Sequence, residues 1–286
     1  MDYPITSLPL SDFPPQLLEI PQPPKTLWYQ GKLPPRELKL LAVVGSRKYT
    51  SYGQQAIETL IGGLANYPIG IVSGLAIGID SLAHEAALKN NLYTLSVPGS
   101  GLDPAVLYPA RNKSLAERIL QHGGGLLSEL SPMTKATTWS FPQRNRIMAG
   151  LCHATLLIEA GAKSGTLITA RMAVDYNREL LAVPGSIFSK NSFGTHQFLK
   201  LGATMVTTPE DIILALGLEV TESETKSKPE LSPEETLVIE ILHEPTDRDT
   251  LIRKLNLSAP EANTLLMSME IQGYLKYNPP HYISLI

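Results

Sequence analysis

The chain has 286 residues, enough for one large domain plus a small one, and its 43% apolar and 18% charged composition is that of a water-soluble globular protein. One cysteine, Cys152, excludes an internal disulfide; with no CxxC nothing suggests a metal or cofactor, and a reduced, cytoplasmic setting is the default. The net charge of −3 hides an asymmetry: residues 230–286 hold 4 Lys/Arg against 9 Asp/Glu and residues 1–229 hold 20 against 18, so a polyanion would meet the body and not the tail.

The start, MDYPITSLPL, lacks the basic end and apolar core of a signal peptide. No window reaches about 18 uninterrupted apolar residues, so no membrane span is expected. Residues 1–37 are proline-rich and predict an extended lead-in segment, packed on the body through Leu27, Trp28 and Tyr29. From Leu38 short apolar runs predict strands at 40–45, 69–74, 93–99, 126–130, 154–160 and 179–185, with helices between them at 52–66, 80–90, 111–122, 143–151 and 165–176. This alternation, with near-continuously apolar strands, predicts an α/β domain over 38–218: a doubly wound, mostly parallel Rossmann-like sheet covered on both faces. Residues 219–230 (EVTESETKSKPE) read as a linker. Residues 231–286 predict three helices and a hairpin, a small winged-helix-like domain whose first helix is opened by Ser232 with Glu235 three positions on.

Ligands of doubly wound sheets bind beyond the carboxyl ends of the strands, so the residues after each strand are the candidates. After the first come Gly45, Ser46 and Arg47, a tight turn and a guanidinium beside a helix start, suited to an anion. After the second come Ser73, Gly74 and Gly78, then Asp80 as a helix cap and His84, which reads as structural. After the third, Asn112 and Lys113 stand at a helix start. After the fourth, the loop 131–140 brings Lys135 and Trp139, followed by FPQRNR with Phe141, Arg144, Asn145 and Arg146. Cations interleaved with aromatics suit unpaired bases stacked on rings. After the fifth, Glu159 orders the loop and Ser164, Gly165 and Thr166 form a backbone cradle at a helix start. Neither GxGxxG nor GxxxxGK[ST] is present, so a dinucleotide cofactor and ATPase activity are not expected. Arg47, Lys113, Arg144, Arg146 and the turn 164–166 all fall on one edge, which defines an anion groove.

Together these stretches closely resemble the DNA-processing protein A family (DprA/Smf). The resemblance rests on VVGSR (43–47), SGLAIGIDSLAHEAAL (73–88), YPARNKSL (108–115), LLSEL (126–130), FPQRNRIMAGL (141–151), EAGAKSGTLITA (159–170), LAVPGSI (181–187) and LGATMV (201–206). It covers about residues 12–216, and the tail resembles the family's winged-helix domain. The resemblance implies a single-stranded DNA-binding protein of natural transformation that shields the incoming strand and helps load the RecA recombinase. It implies no catalytic residues, and a homodimer joined through residues 175–216. Carried onto this chain, the phosphate-binding arginine is Arg47, the RNR element is Arg144, Asn145 and Arg146, and the cradle is Gly74, Ser164, Gly165 and Thr166. Lys113 matches a basic position, and Lys135 matches more loosely.

Two departures from the family pattern stand out. The N-terminal helical domain that many members carry is expected to be absent or trimmed. The acidic tail has a candidate recognition helix, 258–272, without a single Lys or Arg, which makes it a poor DNA reader and points to protein interaction or dimer support. The rival enzyme reading is a LOG-type phosphoribohydrolase, which carries GGxGTxxE; here Thr169 stands where that glutamate would be. A third reading is a free-nucleotide sensor.

Overall fold

The computed structural model describes residues 3–220, 231–243, 246–278 and 281–284. It divides into two units, Met1–Val220 and Thr221–Ile286. In the first, the chain runs through β1 (Thr6–Leu8), α1 (Pro15–Leu18), β2 (Leu27–Gly31), β3 (Lys39–Val44), α2 (Ser51–Gly62), β4 (Ile69–Ser73), α3 (Ile79–Lys89) and β5 (Tyr93–Ser96). It continues with α4 (Lys113–Gln121), β6 (Gly125–Ser128), α5 (Ser140–Leu151), β7 (Ala154–Leu157), α6 (Thr166–Asp175), β8 (Glu179–Ala182), α7 (Phe193–Lys200), β9 (Thr204–Met205) and α8 (Pro209–Ala215).

Side chains along a strand alternate between faces, and β3 shows why the apolar runs are continuous. Leu40, Ala42 and Val44 enter one core, with Ile147, Met148 and Leu151 of α5. Leu41 and Val43 enter the other, with Ile57, Leu60 and Ile61 of α2 and Ile79 and Ala83 of α3. Both faces are covered by helices, as a doubly wound sheet requires. The strand order is β1-β2-β6-β5-β4-β3-β7-β8-β9. Every pairing from β6 to β9 is parallel.

The lead-in is more than an extended wrap. β2 pairs antiparallel with β6, Trp28 opposite Ser128 and Tyr29 opposite Leu127, and β1 pairs antiparallel with β2. It closes the edge of the sheet, where unpaired amides would otherwise face water. Leu27 is fully buried there.

In the second unit, α9 (Pro233–Ile241), α10 (Arg248–Leu255) and α11 (Ala259–Ile271) accompany a three-stranded sheet of β10 (Thr246–Asp247), β11 (Leu275–Asn278) and β12 (His281–Ser284), a winged-helix arrangement. β11 and β12 form the hairpin, with Tyr277 opposite Tyr282. Capping boxes open α9 (Ser232 and Glu235) and α11 (Ser258 and Glu261). Val238, Leu251, Leu266 and Met269 form its own core. Of the linker expected at 219–230, residues 221–230 lie outside the described residues.

Candidate functional site

From β3 the chain winds outward through β4, β5 and β6 on one side, while β7, β8 and β9 continue on the other. The switch point therefore lies between β3 and β7, where the loops beyond their carboxyl ends diverge and leave a crevice. A cavity of about 640 Å³ opens there. Gly45, Ser46 and Arg47 line it from the β3 loop, Phe141, Arg144 and Asn145 from α5, and Ser164, Gly165 and Thr166 from the start of α6.

The walls are fixed by groups drawn from distant parts of the chain. Glu159, buried at the end of the fifth apolar run, accepts hydrogen bonds from the Thr50 amide at 2.9 Å and the Thr50 hydroxyl at 2.7 Å, and its own carbonyl accepts from the Ser46 amide at 2.7 Å. Gly78 has φ +95°, and a Cβ there would lie 2.4 Å from the Ser46 carbonyl oxygen; only glycine lets the two loops close. The Thr166 hydroxyl donates to the Gly45 carbonyl at 3.1 Å, joining the two lips.

Two guanidinium groups serve the cavity differently. Arg47 is exposed, with its Cζ 5.4 Å from the centroid of the Phe141 ring, so the charge is held over an aromatic face and open to solvent. Arg144 is buried: its Nε donates to Asn145 Oδ1 at 3.1 Å and its Nη1 to the Val97 carbonyl. Burial pushes the Arg144 guanidinium below its ordinary value and the Asp80 carboxyl above its own, while their mutual attraction opposes both shifts. Asp80 sits in the first turn of α3 and accepts from the Gly74 amide at 3.1 Å. It ties down the loop, whereas the sequence suggested a helix cap; Gly78 is the N-cap of α3.

The remaining candidates lie elsewhere. Arg146 is two positions beyond Arg144 in α5, about 200° around the helix, and so points away from it. It pairs with Glu129 and donates to the Gln22 carbonyl at 2.8 Å, which ties the lead-in to the body. Ser73 is fully buried and donates to the Val43 carbonyl at 2.7 Å. Asn112 is buried, its amide donating to the Leu75 carbonyl at 2.7 Å and Ser81 Oγ at 3.2 Å. Gly74 lies behind Arg144 and borders a neighbouring pocket of about 50 Å³, with Tyr108 and Phe141. Lys113 and Lys135 line neither space. Of the three cradle residues, the Ser164 and Thr166 amides are spent on the turn itself, donating to the Gly161 carbonyl at 3.0 Å and Ser164 Oγ at 3.3 Å. His84 is fully buried, and its Nδ1 bonds the Thr94 hydroxyl at 2.7 Å.

Lys48, Lys163 and Asn191 also line the cavity and were not singled out from the sequence. Lys48 follows Arg47 and Lys163 precedes Ser164, so adjacency to chosen residues was the available signal. Nothing local marks Asn191, which arrives from the loop after β8. Among the described residues no cluster of metal-ligating side chains occurs, and no helix is long and apolar enough to cross a membrane.

Fold and cavity together define a doubly wound α/β protein with a cavity lined by Arg47 and Arg144 at its switch point and a winged-helix unit behind it in the sequence. The family model for DNA recombination-mediator protein A matches residues 5–217, and that for the DprA winged helix domain matches 222–279. The chain is 36% identical over 282 residues to Protein Smf of Escherichia coli, across 96% of this chain and 75% of the relative. It is 42% identical over 201 residues to DNA processing protein DprA of Streptococcus pneumoniae, across 70% of each. The X-ray structure of the S. pneumoniae protein superposes with a TM-score of 0.69 at 40% identity, covering 76% of this chain and 75% of that one. The DNA processing protein A of Helicobacter pylori, described for its single-stranded DNA binding mode, superposes with a TM-score of 0.66 at 30% identity, covering 74% and 95%. The chain belongs to the DNA recombination-mediator protein A family.

Proposed function

We propose that the larger unit binds single-stranded DNA by its phosphates at the switch-point cavity. The observation that carries this is Arg47, exposed and held over the Phe141 ring, above the buried charge of Arg144. A phosphate needs cations, while a base beside it needs an aromatic face, and the cavity offers both. Lys48 and Lys163 add charge at the rim. Little sequence preference follows, because phosphate contacts carry no base information. The single-stranded DNA binding of the H. pylori relative supports the reading.

On this reading the protein shields single strands in transformation or recombination and helps seat a RecA-type recombinase on them, in the cytoplasm. It works as a homodimer, and the exposed Leu201, Met205 and Leu214, within residues 175–216, support a contact there. It binds without catalysis. Thr169 is buried within α6, so the position that bears a glutamate in LOG-type enzymes offers no carboxylate. The test is fluorescence anisotropy with a labelled strand of about 20 nucleotides against the matched duplex; binding that requires Arg47 and favours the single strand is the expected result. Free nucleotide competing at micromolar levels would instead favour a nucleotide sensor.

A further inference from the structure

Beside the phosphate cavity lies a second one, of about 610 Å³, with a different chemistry. It is lined by Thr50, Tyr52 and Glu159 on one side and by Pro184, Gly185, Ser186, Ser189 and Ser192 of the loop after β8 on the other. No lysine or arginine is among the described residues that line it. The loop after β8 walls both cavities, Asn191 lining the first and its neighbours Ser189 and Ser192 the second. Asn191 donates through Nδ2 to the Lys48 carbonyl at 2.8 Å, and the Tyr52 hydroxyl donates to the Pro184 carbonyl at 2.5 Å.

The loop that forms this wall is tied to itself. Ser186 Oγ accepts from the Phe188 amide at 3.2 Å, the Ser189 amide donates to the Ser186 carbonyl at 3.0 Å, and His196 Nε2 bonds the Gly185 carbonyl at 2.9 Å. This ordered turn holds Ile187 at 81% and Phe188 at 91% exposure, between two residues of the cavity lining. Fixing two large apolar side chains in water costs free energy and buries nothing within this chain. Serine hydroxyls, one lining ring (Tyr52) with Phe188 exposed beside it, no cation, and a Glu159 carboxylate already hydrogen-bonded to Thr50 suit a neutral, flat ligand with polar edges, and a nucleobase is one.

We infer that the loop 184–192 forms a base-binding subsite in which Phe188 and Tyr52 give ring faces to a nucleobase of the strand whose phosphates occupy the adjoining cavity. The inference rests on the reading of that cavity as a strand-binding site. It extends the footprint across the Lys48–Asn191 bridge, and it makes Phe188 a contributor to affinity independent of charge.

The test compares the unaltered full chain with Phe188→Ser and Ile187→Ser, using a labelled strand of about 20 nucleotides and a fully abasic strand of equal length, across a salt series. Both side chains are exposed, so the fold is preserved. The expected result for Phe188→Ser is affinity for the normal strand on the order of 10-fold lower. The salt dependence stays that of the unaltered protein, Phe188→Trp retains tight binding, and the abasic strand shows no difference. Equal affinity of Phe188→Ser for the normal strand overturns the subsite and leaves the phosphate cavity standing. So does an equal loss on the abasic strand. A changed mass by light scattering with unchanged DNA affinity would make the patch a protein interface and overturn it too. Failure of the unaltered chain to bind single strands would fall on the cavity reading itself and remove the subsite with it.

Discussion

A Cβ placed on Gly74 would lie 1.6 Å from Nη1 of Arg144. The glycine is there for space: the loop after β4 passes directly against a buried guanidinium that bonds the Val97 carbonyl and faces Asp80. Gly74→Ala must therefore displace Arg144 from the cavity floor. Overpacking of this kind costs about 1–3 kcal/mol, and the lost charged hydrogen bonds weaken strand binding by about 10-fold or more. Gly165 is the control, because a Cβ there meets nothing within 4 Å. Gly165→Ala is expected to leave stability within about 0.5 kcal/mol. Urea denaturation followed by a binding titration separates the two.

The two arginines of α5 are expected to separate by role. Arg146 pairs with Glu129, and the two side chains are 8% and 18% exposed. Removing Arg146 leaves that carboxylate without its partner in a site where burial already pushes its pKa up. Arg146→Ala should cost about 3 kcal/mol of stability while the folded fraction binds DNA normally. Arg47→Glu should do the reverse: stability changes by less than about 0.5 kcal/mol, since the side chain is exposed, and most binding is lost. A variant pair that failed to separate in this way would misplace the cavity.

His84 is expected to make the larger unit acid-sensitive. The Thr94 hydroxyl donates its one proton to the Ile71 carbonyl, so it accepts from His84 Nδ1, and Nε2 meets no partner among the described residues. Burial, reinforced by Arg144, pushes the imidazole down to about 3 from an ordinary 6.5. The unfolded chain takes up a proton below pH 6.5 that the native chain refuses until about pH 3. Stability contributed by the neutral ring is thus complete above 6.5 and falls as the pH falls through that window, by about 1.4 kcal/mol per unit once well below 6.5. His84→Leu should flatten the pH dependence of unfolding between pH 6 and 4 by about one proton's worth; an unchanged slope would assign the acid lability to another group.

The winged-helix unit should be dispensable for strand capture. Its α11 carries no lysine or arginine, and phosphate contacts dominate affinity. The unit Met1–Val220 has its own cores, so a chain ending at 220 is the natural comparison. Its affinity for single strands at fixed salt is expected to equal that of the full chain; a sharp loss would give the tail a DNA role.

How much of this was written in the sequence varies with the range of the interactions. The parallel strands β3 to β8 were legible because they are buried on both faces and so read as apolar runs, LLAVV at 40–44 being the clearest, whereas β9, with Thr204 and Met205 both exposed, gave no such run. β2 was not, because its strand character comes from pairing with β6, far along the chain, and prolines surround it. The edge that holds the cavity was legible from where strands end. The facing of single side chains was not: Arg144 and Arg146 look equivalent until the turn of α5 sends one to the cavity and the other to Glu129. Ser73 and Asn112 looked available until carbonyls from elsewhere in the chain, Val43 of β3 and Leu75 of the loop after β4, accepted their protons.

The most direct measurement is the affinity for a labelled strand of about 20 nucleotides across a salt series, for the unaltered protein and Arg47→Glu. Arg47, Lys48, Arg144 and Lys163 line the cavity, so the logarithmic salt slope should be about −2 to −4 at roughly 0.7 per phosphate neutralised. Arg47→Glu should lose most of the affinity and flatten the slope by about 1. No binding by the folded protein, or the same slope and affinity after Arg47→Glu, would contradict single-strand capture at the switch-point cavity.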